Sequence, residues 1–256
     1  MSICLSLNLN KIALIRNSRP GDYPSVTAHA RLAVAAGADG ITVHPRPDQR
    51  HIRASDVPAL AAILDVELNV EGNPFAGAAR STRADVGDYP GFLPLVRAVK
   101  PAQCTLVPDD EQQLTSDHGF DLRRDGARLR PVIDELHALG IRASLFMDPD
   151  PQQMVLARAV GADRIELYTG PYAAAFAAGA APRKILEPYI AAANSALDAG
   201  LGLNAGHDLN LLNLPDFARV PGLLEVSIGH AFTVDALHLG FERAVRAYRQ
   251  CLGQIG

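Results

Sequence analysis

Short apolar runs with β-strand character alternate along this chain with segments of helical composition. The eight runs are 3-ICLSLNLN-10, 40-GITVH-44, 67-ELNVE-71, 103-QCTLVP-108, 141-IRASLFMD-148, 164-RIELYTG-170, 201-GLGLNAGH-207 and 223-LLEVSIGH-230. Helical composition is clearest at Pro24–Ala36, Ser55–Leu64, Leu129–Leu139, Pro151–Val160, Arg183–Ala199 and Phe232–Leu252. Eight strands that alternate with helices over about 250 residues predict an α/β fold, a (β/α)8 or TIM barrel. We expect one domain over residues 1–256.

Glycines mark the predicted ends of several helices. Gly37, Gly140, Gly161 and Gly200 each stand just before a strand, where a left-handed C-cap favours a residue without a side chain. Two of these joints nearly repeat, as GADGI and GADRI. We interpret the repeat as a shared turn from helix to strand.

The connections after the strands are longer than those before them. The longest are Gly72–Gly91, Asp109–Gly126 and Pro171–Pro182, which are rich in Gly, Pro, Asp and Ala. In a parallel barrel the strand-to-helix loops share one rim, and such barrels build their sites at that rim. We expect Gly72–Gly91 to be mobile without ligand and to cover or border the site when it is filled.

Polar and charged residues stand at the end of nearly every predicted strand. The set comprises Asn8, Asn10, Lys11, Arg16 and Arg19 from the first strand, His44 and Arg46 from the second, Glu71 from the third, Asp148 from the fifth, Glu166 and Thr169 from the sixth, 204-NAGH-207 from the seventh and 228-IGH-230 from the eighth. A single residue of this kind at a strand end often does no more than cap a loop or form a surface ion pair. Placed on one rim, they predict a site for proton transfer and hydrogen bonding.

The segment 40-GITVHPRPDQRHI-52 has the clearest chemical character. It begins as an apolar strand, and two prolines then prevent it from continuing as a central strand. His44, Arg46, Arg50 and His51 follow, and these side chains can move protons near neutral pH and bind phosphate or carboxylate. A solvated surface loop is the alternative for this segment, but other strands end in the same way.

Two anion subsites are predicted on the rim. Gly206 and Gly229 precede His207 and His230, and the loops after the last two strands of such barrels often bind phosphate. The second subsite consists of Arg46, Arg50 and His51. Between the two subsites, His44, Glu71, Glu166 and His207 could share acid and base work. The pattern indicates a doubly anionic ligand or two substrates.

Composition narrows the classes of function. A formal charge of −4 argues against non-specific nucleic-acid binding, which needs a basic face. The sequence has neither an apolar run of about 18 residues nor a signal-peptide pattern, so we expect a soluble, cytoplasmic protein that does not bind membranes. The three cysteines, Cys4, Cys104 and Cys251, are widely spaced in apolar surroundings. We expect all three to be reduced thiols in the core.

Seven motifs resemble the pyridoxine 5′-phosphate synthase family in order and almost from end to end. They are NLNKIALIRNSR, GADGITVHPRPDQRHI, LNVEGN, LVPDDEQQLTSDHGFDL, RIELYTGPYA, GLGLNAGH and EVSIGHA. The family consists of barrel enzymes that condense 1-deoxy-D-xylulose 5-phosphate with 3-amino-2-oxopropyl phosphate into pyridoxine 5′-phosphate. The resemblance implies acid/base chemistry without a redox step, metal or cofactor, and it suggests a homo-octamer.

The resemblance also implies roles for individual residues. His44 and Glu71 would be proton acceptors, His207 a proton donor, and Glu166 an electrostatic stabiliser of cationic intermediates. The phosphate of the ketose would be held by Arg46, His51 and Thr115. The amino ketone phosphate would be held by Asn8, Arg19, Gly229 and His230.

Three short stretches of the sequence depart from the family pattern. Asn10-Lys11 stands where the family commonly has Asp-His, Asp208 stands where Gly is usual, and Val234-Asp235-Ala236 replaces Gly-Arg-Ala. Strand alternation would place Asn8 and Asn10 on one inward face, so we expect Asn10 and Lys11 to contact the ketose. An Asp208 carboxylate near a phosphate would repel it, so its side chain should point away or the phosphate should be held differently.

Two other functions are compatible with the same residues. One is a metal-dependent barrel hydrolase or isomerase with His44, Glu71, Asp148 and His207 as ligands, although nearby arginines favour anions over a dication. The other is a non-catalytic paralogue that binds a phosphorylated metabolite, which the substitutions at Asn10, Lys11 and Asp208 permit.

Overall fold

The computed structural model describes residues 2–110 and 113–254, and its centre is a closed barrel of eight parallel strands. The strands are β1 Cys4–Asn8, β2 Gly40–Val43, β3 Glu67–Gly72, β4 Gln103–Leu106, β5 Arg142–Met147, β6 Arg164–Leu167, β7 Gly202–His207 and β8 Leu223–Ile228. Each strand pairs with the next along the chain, and β1 closes the ring against β8 with Leu5 opposite Val226. The predicted (β/α)8 fold and all eight predicted strands are confirmed.

Helices surround the barrel in the described part of the chain. They are α1 Asn10–Asn17, α2 Val26–Ala36, α3 Asp56–Ala61, α4 Phe92–Val99, α5 Leu122–Ala138, α6 Pro151–Ala159, α7 Gly170–Ala177, α8 Pro182–Asp198, α9 Leu214–Phe217, α10 His230–Leu239 and α11 Phe241–Cys251. Gly37, Gly140, Gly161 and Gly200 all have positive φ, between 75° and 109°. The predicted left-handed turns from helix to strand are therefore confirmed.

The first strand is shorter than predicted. It ends at Asn8, and α1 begins at Asn10, because the side chain of Asn8 accepts a hydrogen bond from the Asn10 amide at 3.0 Å and turns the chain. The expectation that Asn8 and Asn10 share one strand face is therefore wrong. Both side chains nevertheless reach the same rim.

Several helices differ from the sequence prediction. The alanine-rich α7 lies in the segment that we expected to be a loop, Pro171–Pro182, since Gly170 and Pro171 begin a helix there. The single helix expected at Phe232–Leu252 is divided at Gly240, which has a φ of 83°. The short α1, α4 and α9 were not predicted, and α5 begins seven residues earlier than expected, at Leu122 rather than Leu129.

Alternation along the strands divides the core into an apolar layer and a polar barrel interior. The apolar side chains of β1 and β2 are fully buried, whereas Ser6 and Thr42 join through their hydroxyls at 2.7 Å. Next to them, the Thr105 hydroxyl donates to Asn69 at 3.0 Å. Buried polar groups are stable when they are paired in this way. The polar interior leads directly to the carboxyl-end rim.

The cysteines differ from one another in burial. Cys104 is buried, Cys251 is half-buried and Cys4 is exposed, and all three are free thiols. The prediction of reduced thiols is confirmed, but the prediction that each packs in the core is wrong for Cys4. Cys4 is the first residue of β1, at the rim opposite the predicted site.

Candidate active site

One cavity of about 380 Å³ opens at the carboxyl-end rim of the barrel. It is lined by fourteen of the predicted site residues: Asn8, Asn10, Lys11, His44, Arg46, Arg50, His51, Glu71, Thr115, Glu166, His207, Asp208, Gly229 and His230. Arg19 does not line it, because Arg19 lies exposed beyond the end of α1. The strand ends thus converge as the sequence pattern predicted.

His44 lies buried between two carboxylates. Its Nδ1 is 4.0 Å from Glu71 Oε2, and its Nε2 is 3.6 Å from Asp109 Oδ2. The backbone amide of His44 donates to Asn10 Oδ1 at 2.9 Å, which fixes the residue as it leaves β2. Burial, reinforced by the positive charge of Arg46, lowers the pKa of His44 to about 3. The imidazole is therefore neutral at neutral pH and can accept a proton.

Glu71 and Glu166 are buried at the floor of the cavity. Burial, with the nearby Glu166 and Asp109 carboxylates, raises the pKa of Glu71 well above its usual value. Burial and the negative charge of Glu225 raise the pKa of Glu166 to about 8. Carboxyl groups with raised pKa values can both hold and release protons, as general acid/base catalysis requires.

His207 is held by hydrogen bonds at both ring nitrogens. Its Nε2 lies 2.7 Å from the Thr115 hydroxyl, and its Nδ1 lies 2.7 Å from Asp208 Oδ2. This hydrogen bond with His207 lowers the pKa of the Asp208 carboxyl. A carboxylate at Nδ1 favours the tautomer with the proton on that nitrogen. Asp208 therefore directs its carboxylate at His207, and it also lines the cavity.

The backbone around His207 has little freedom. His207 itself has a φ of 62°, in the left-handed region that side chains rarely adopt. A Cβ atom on the preceding Gly206 would lie 2.4 Å from the Ser227 carbonyl oxygen. Glycine is therefore required at position 206 for β7 to lie this close to β8.

The loop after β2 brings cations to one wall of the cavity. Arg46 is buried and donates to Asp109 and to the Gln113 carbonyl, and Arg50 donates to the same carbonyl at 3.0 Å. His51 accepts a hydrogen bond from the Ile52 amide at Nδ1, so Nε2 carries the proton of the neutral ring. These donors suit a phosphate group.

The opposite wall contains the second predicted anion subsite. Gly229 precedes α10 and His230 begins it, so the unpaired amides of the first helical turn face this part of the rim. A Cβ atom at Gly229 would lie 3.0 Å from the Asn8 Cβ. The glycine thus permits the close approach of Asn8 to this helix.

Asp109 and Ser116 are site residues that the sequence prediction missed. Asp109 pairs with Arg46 and also accepts from the Ser116 hydroxyl at 3.0 Å. Sequence reasoning took a polar residue from most strand ends but none from the fourth. The first acidic residue after 103-QCTLVP-108 is Asp109, so the same rule applied there would have found it.

Two predicted rim residues lie elsewhere. Arg16 is buried in the barrel wall, where it forms a bidentate pair with Asp56 at 2.6 and 2.9 Å. Asp148 is exposed and does not line the cavity, so the four ligands of the metal-dependent alternative do not converge. Within residues 2–110 and 113–254, no three His, Cys, Asp or Glu side chains form a group that could hold a metal ion.

The segment Gly72–Gly91 borders a second cavity of about 280 Å³, which shares His44, Arg46 and Arg50 with the first. Ala79 and Tyr89 form an antiparallel bridge within the segment. The buried Tyr89 hydroxyl donates to the Pro45 carbonyl at 3.2 Å. The segment is therefore attached to the loop after β2 and lies beside the site.

We expect ligand to slow the cleavage of this segment by trypsin. Arg80 is exposed within it and Arg83 is partly exposed, and a filled anion site should hold the adjoining loop after β2 more firmly. Mass spectrometry of a digestion time course, with and without inorganic phosphate, measures the rate at each site. Cleavage at the exposed Arg183 and Lys184 of α8 serves as the control. Equal rates in both states at Arg80 and Arg83 would contradict a lid.

Fold and site together define a barrel enzyme of the acid/base class that acts on anionic substrates. The chain belongs to the family described as pyridoxal phosphate biosynthesis protein PdxJ, whose model matches residues 5–254. Its relatives include the pyridoxine 5′-phosphate synthase of Xanthomonas axonopodis pv. citri, 56% identical over 97% of this chain and 96% of that one. The synthase of Albidiferax ferrireducens is 51% identical over 99% of both chains.

Solved structures with little sequence similarity share the barrel. A KGPDC from Streptococcus mutans covers 100% of this chain and 99% of its own, with a TM-score of 0.60 and 10% identity. A triosephosphate isomerase from Bartonella henselae has a TM-score of 0.52 and 11% identity, with 97% and 100% coverage. At these identities the likeness concerns the fold alone.

Proposed function

We propose that this protein is a pyridoxine 5′-phosphate synthase, which condenses 1-deoxy-D-xylulose 5-phosphate with 3-amino-2-oxopropyl phosphate. The reaction releases phosphate and water and forms pyridoxine 5′-phosphate. The observation that carries the proposal is the convergence of four proton-transfer groups, His44, Glu71, Glu166 and His207, in one cavity between two anion subsites. Membership of the family and identities above 50% to synthases along the whole chain support the same reaction.

The reaction is a series of proton transfers, and the site offers groups in different protonation states. Neutral His44 accepts a proton from the condensing substrates. Its low pKa depends partly on the charge of Arg46, so a phosphate dianion bound to Arg46 makes His44 more basic. Glu71, once ionised, acts as a second acceptor. Both groups lie on the same side of the cavity as the cations that bind the ketose phosphate.

His207 and Glu166 suit the steps that need a proton or a negative charge. Asp208 holds the His207 ring through Nδ1, and we assign His207 as the group that donates a proton to a leaving hydroxyl. Glu166 has a pKa of about 8 because it is buried. A cationic intermediate beside it would favour its ionised form and would in turn be stabilised by that charge.

The two substrates are assigned to the two subsites. Arg46, His51 and Thr115 bind the ketose phosphate, and the amides that begin α10, with Asn8, bind the amino ketone phosphate. Elimination from the ketose leaves inorganic phosphate beside Arg46, where guanidinium donors stabilise it. Arg19 lies beyond the end of α1 and does not line the cavity, so the structure of this chain does not support a place for Arg19 in the second subsite.

Turnover with both purified substrates tests the proposal directly. Formation of pyridoxine 5′-phosphate and inorganic phosphate in equal amounts, at a rate proportional to enzyme, is the expected result. Binding of both substrates without product would instead identify a non-catalytic paralogue. Activity that is lost after metal chelation and restored by one metal would favour the metal-dependent alternative.

We also propose that the enzyme works in the cytoplasm as a homo-octamer, as the resemblance to the family suggests. None of the helices in the described ranges is long and apolar enough to cross a bilayer. Light scattering of the purified protein measures the oligomeric state. A mass equal to eight chains is the expected result.

Lys11→Ala is expected to raise the KM for the ketose more than the KM for the amino ketone. Lys11 lines the cavity from the first turn of α1, and its charge helps lower the pKa of His51, which places it on the ketose side. Charge attraction is screened by salt, so the effect should be larger at low ionic strength. Lys184→Ala, on the exposed face of α8, is the matched control. Equal changes in both KM values would remove Lys11 from the ketose subsite.

A further inference from the structure

Arg46 already holds an anionic partner in this structure. One terminal nitrogen of its guanidinium donates to Asp109 Oδ2 and the other donates to the Gln113 carbonyl oxygen. Both residues belong to the segment after β4, more than sixty positions from Arg46 in the sequence. Both terminal nitrogens of the guanidinium, which could bind a phosphate in bidentate fashion, therefore already donate to protein oxygens.

Asp109 is firmly placed for this contact. Its side chain is buried, and the Ser116 hydroxyl donates to the same Oδ2 atom at 3.0 Å. Its backbone carbonyl accepts from Asn73 Nδ2 at 2.6 Å, which ties it to the segment after β3. Asp109 lines the second cavity and does not line the first, and its Oδ2 lies 3.6 Å from Nε2 of His44, which lines both. The carboxylate thus stands at the boundary between the two cavities.

We infer that Asp109 is an internal competitor for phosphate. In the free enzyme its carboxylate occupies Arg46; the ketose phosphate displaces it, and after elimination it returns to the guanidinium and promotes the release of inorganic phosphate. This inference rests on the proposed function, since it assigns Arg46 to the phosphate that is eliminated. It adds a residue that governs product release, outside the four proton-transfer groups.

The physical need for such a residue follows from burial. A phosphate dianion on a buried guanidinium, with Arg50 and His51 beside it, is bound strongly because few water molecules screen the charges. Strong binding of a product slows its departure. When the Asp109 carboxylate replaces the phosphate on Arg46, it balances the positive charge of the guanidinium as the product leaves. No buried charge then stays unpaired.

Asp109→Asn is the direct test, with inorganic phosphate as the probe. The substitution keeps the size of the side chain but removes its charge, so it should lower the Kd for phosphate in calorimetry by about tenfold. The inhibition constant of phosphate, measured with the ketose as the varied substrate, should fall by the same factor. Asp117→Asn removes one negative charge from an exposed position of the same segment and should leave both values unchanged. A Kd that is unchanged or higher in Asp109→Asn would overturn the inference, since a higher value means that Asp109 positions Arg46 for phosphate.

A second comparison separates competition from a general charge effect. In an Arg46→Met background, the Asp109→Asn substitution should no longer change phosphate binding, because the guanidinium for which the two anions compete is absent. A tenfold effect that persists there would show that Asp109 only repels phosphate at a distance, and it would overturn the inference. These variants also distinguish this subsite from the one at α10, because none of them alters a residue of the α10 subsite.

If Asp109→Asn does not fold, as circular dichroism would reveal, the unaltered enzyme still provides a test. A crystal structure with inorganic phosphate bound should show Arg46 donating to phosphate and no longer to Asp109. An intact Arg46–Asp109 pair beside bound phosphate would overturn the inference. Calorimetry and crystallography need no turnover, so failure of the proposed reaction would appear separately, as an absence of product in the two-substrate assay.

Discussion

His44→Ala is expected to lower kcat by about 10²–10⁴-fold, the range typical for loss of a general base. His44 is buried at the end of β2, and its two ring nitrogens face Glu71 and Asp109. The low pKa of His44 keeps its ring unprotonated at neutral pH, so the ring is available to accept a proton. Steady-state kinetics with both substrates measures the loss.

The control for His44 is another histidine whose ring contacts a carboxylate away from the site. His137 on α5 lies 2.9 Å from Asp163, and His137→Ala should retain normal kcat. Thermal unfolding of both variants establishes that the fold is intact. Added imidazole should restore part of the activity of His44→Ala, because the substitution leaves space for it. A His44→Ala enzyme with near-normal kcat would contradict the assignment of a base.

The fold was predictable because its signals are local and repeated. Each buried strand is a short apolar run, and each left-handed glycine before a strand is visible in the sequence. Helices without such signals were harder to detect. The alanine-rich α7 begins with Gly170 and Pro171, which resemble a loop, although proline at the start of a helix costs little.

The site was predictable where a strand end itself supplies the chemical group. His44, Glu71 and His207 all follow this rule, since parallel strands deliver their carboxyl ends to one rim. The partners of these groups were harder to predict. Nothing in the sequence indicates that Asp109 would meet Arg46, because that contact depends on the path of the segment after β4. The positive φ of His207, next to Asp208, is likewise a backbone conformation that a sequence pattern does not specify.

Arg19 is a residue on which the family resemblance and the structure differ. The resemblance assigns it to the amino ketone phosphate, whereas the single chain leaves it exposed beyond α1. Arg16, three positions earlier, faces inward and pairs with Asp56. Arg16 lies within α1, whereas Arg19 lies beyond its end. The assignment of Arg19 therefore stays a prediction.

Glu71→Gln is expected to bind both substrates normally and to lower kcat by about 10²–10⁴-fold. Glutamine has the size of glutamate and can still accept the hydrogen bond that Asn8 donates to Glu71 at 3.4 Å. It cannot take a proton from the substrate. The predicted signature is therefore a loss in kcat with nearly constant KM values, which indicates an interaction specific to the transition state.

The pH dependence provides a second signature of the same role. Glu71 must be ionised to accept a proton, and burial with nearby carboxylates raises its pKa well above the ordinary 4.5. The activity of the unaltered enzyme should consequently fall as pH decreases through this raised pKa, at a higher pH than an exposed glutamate would give. The residual activity of Glu71→Gln should lack that decline, because the titrating group is absent.

Glu67→Gln is the matched control for both measurements. Glu67 begins the same strand, β3, and pairs with Arg142 at the rim opposite the site. The substitution removes the same charge from the same element, so it should leave kcat and its pH dependence unchanged. If Glu71→Gln instead raised the KM of one substrate without lowering kcat, Glu71 would be a binding residue, and His44 would be left as the proton acceptor of the cavity.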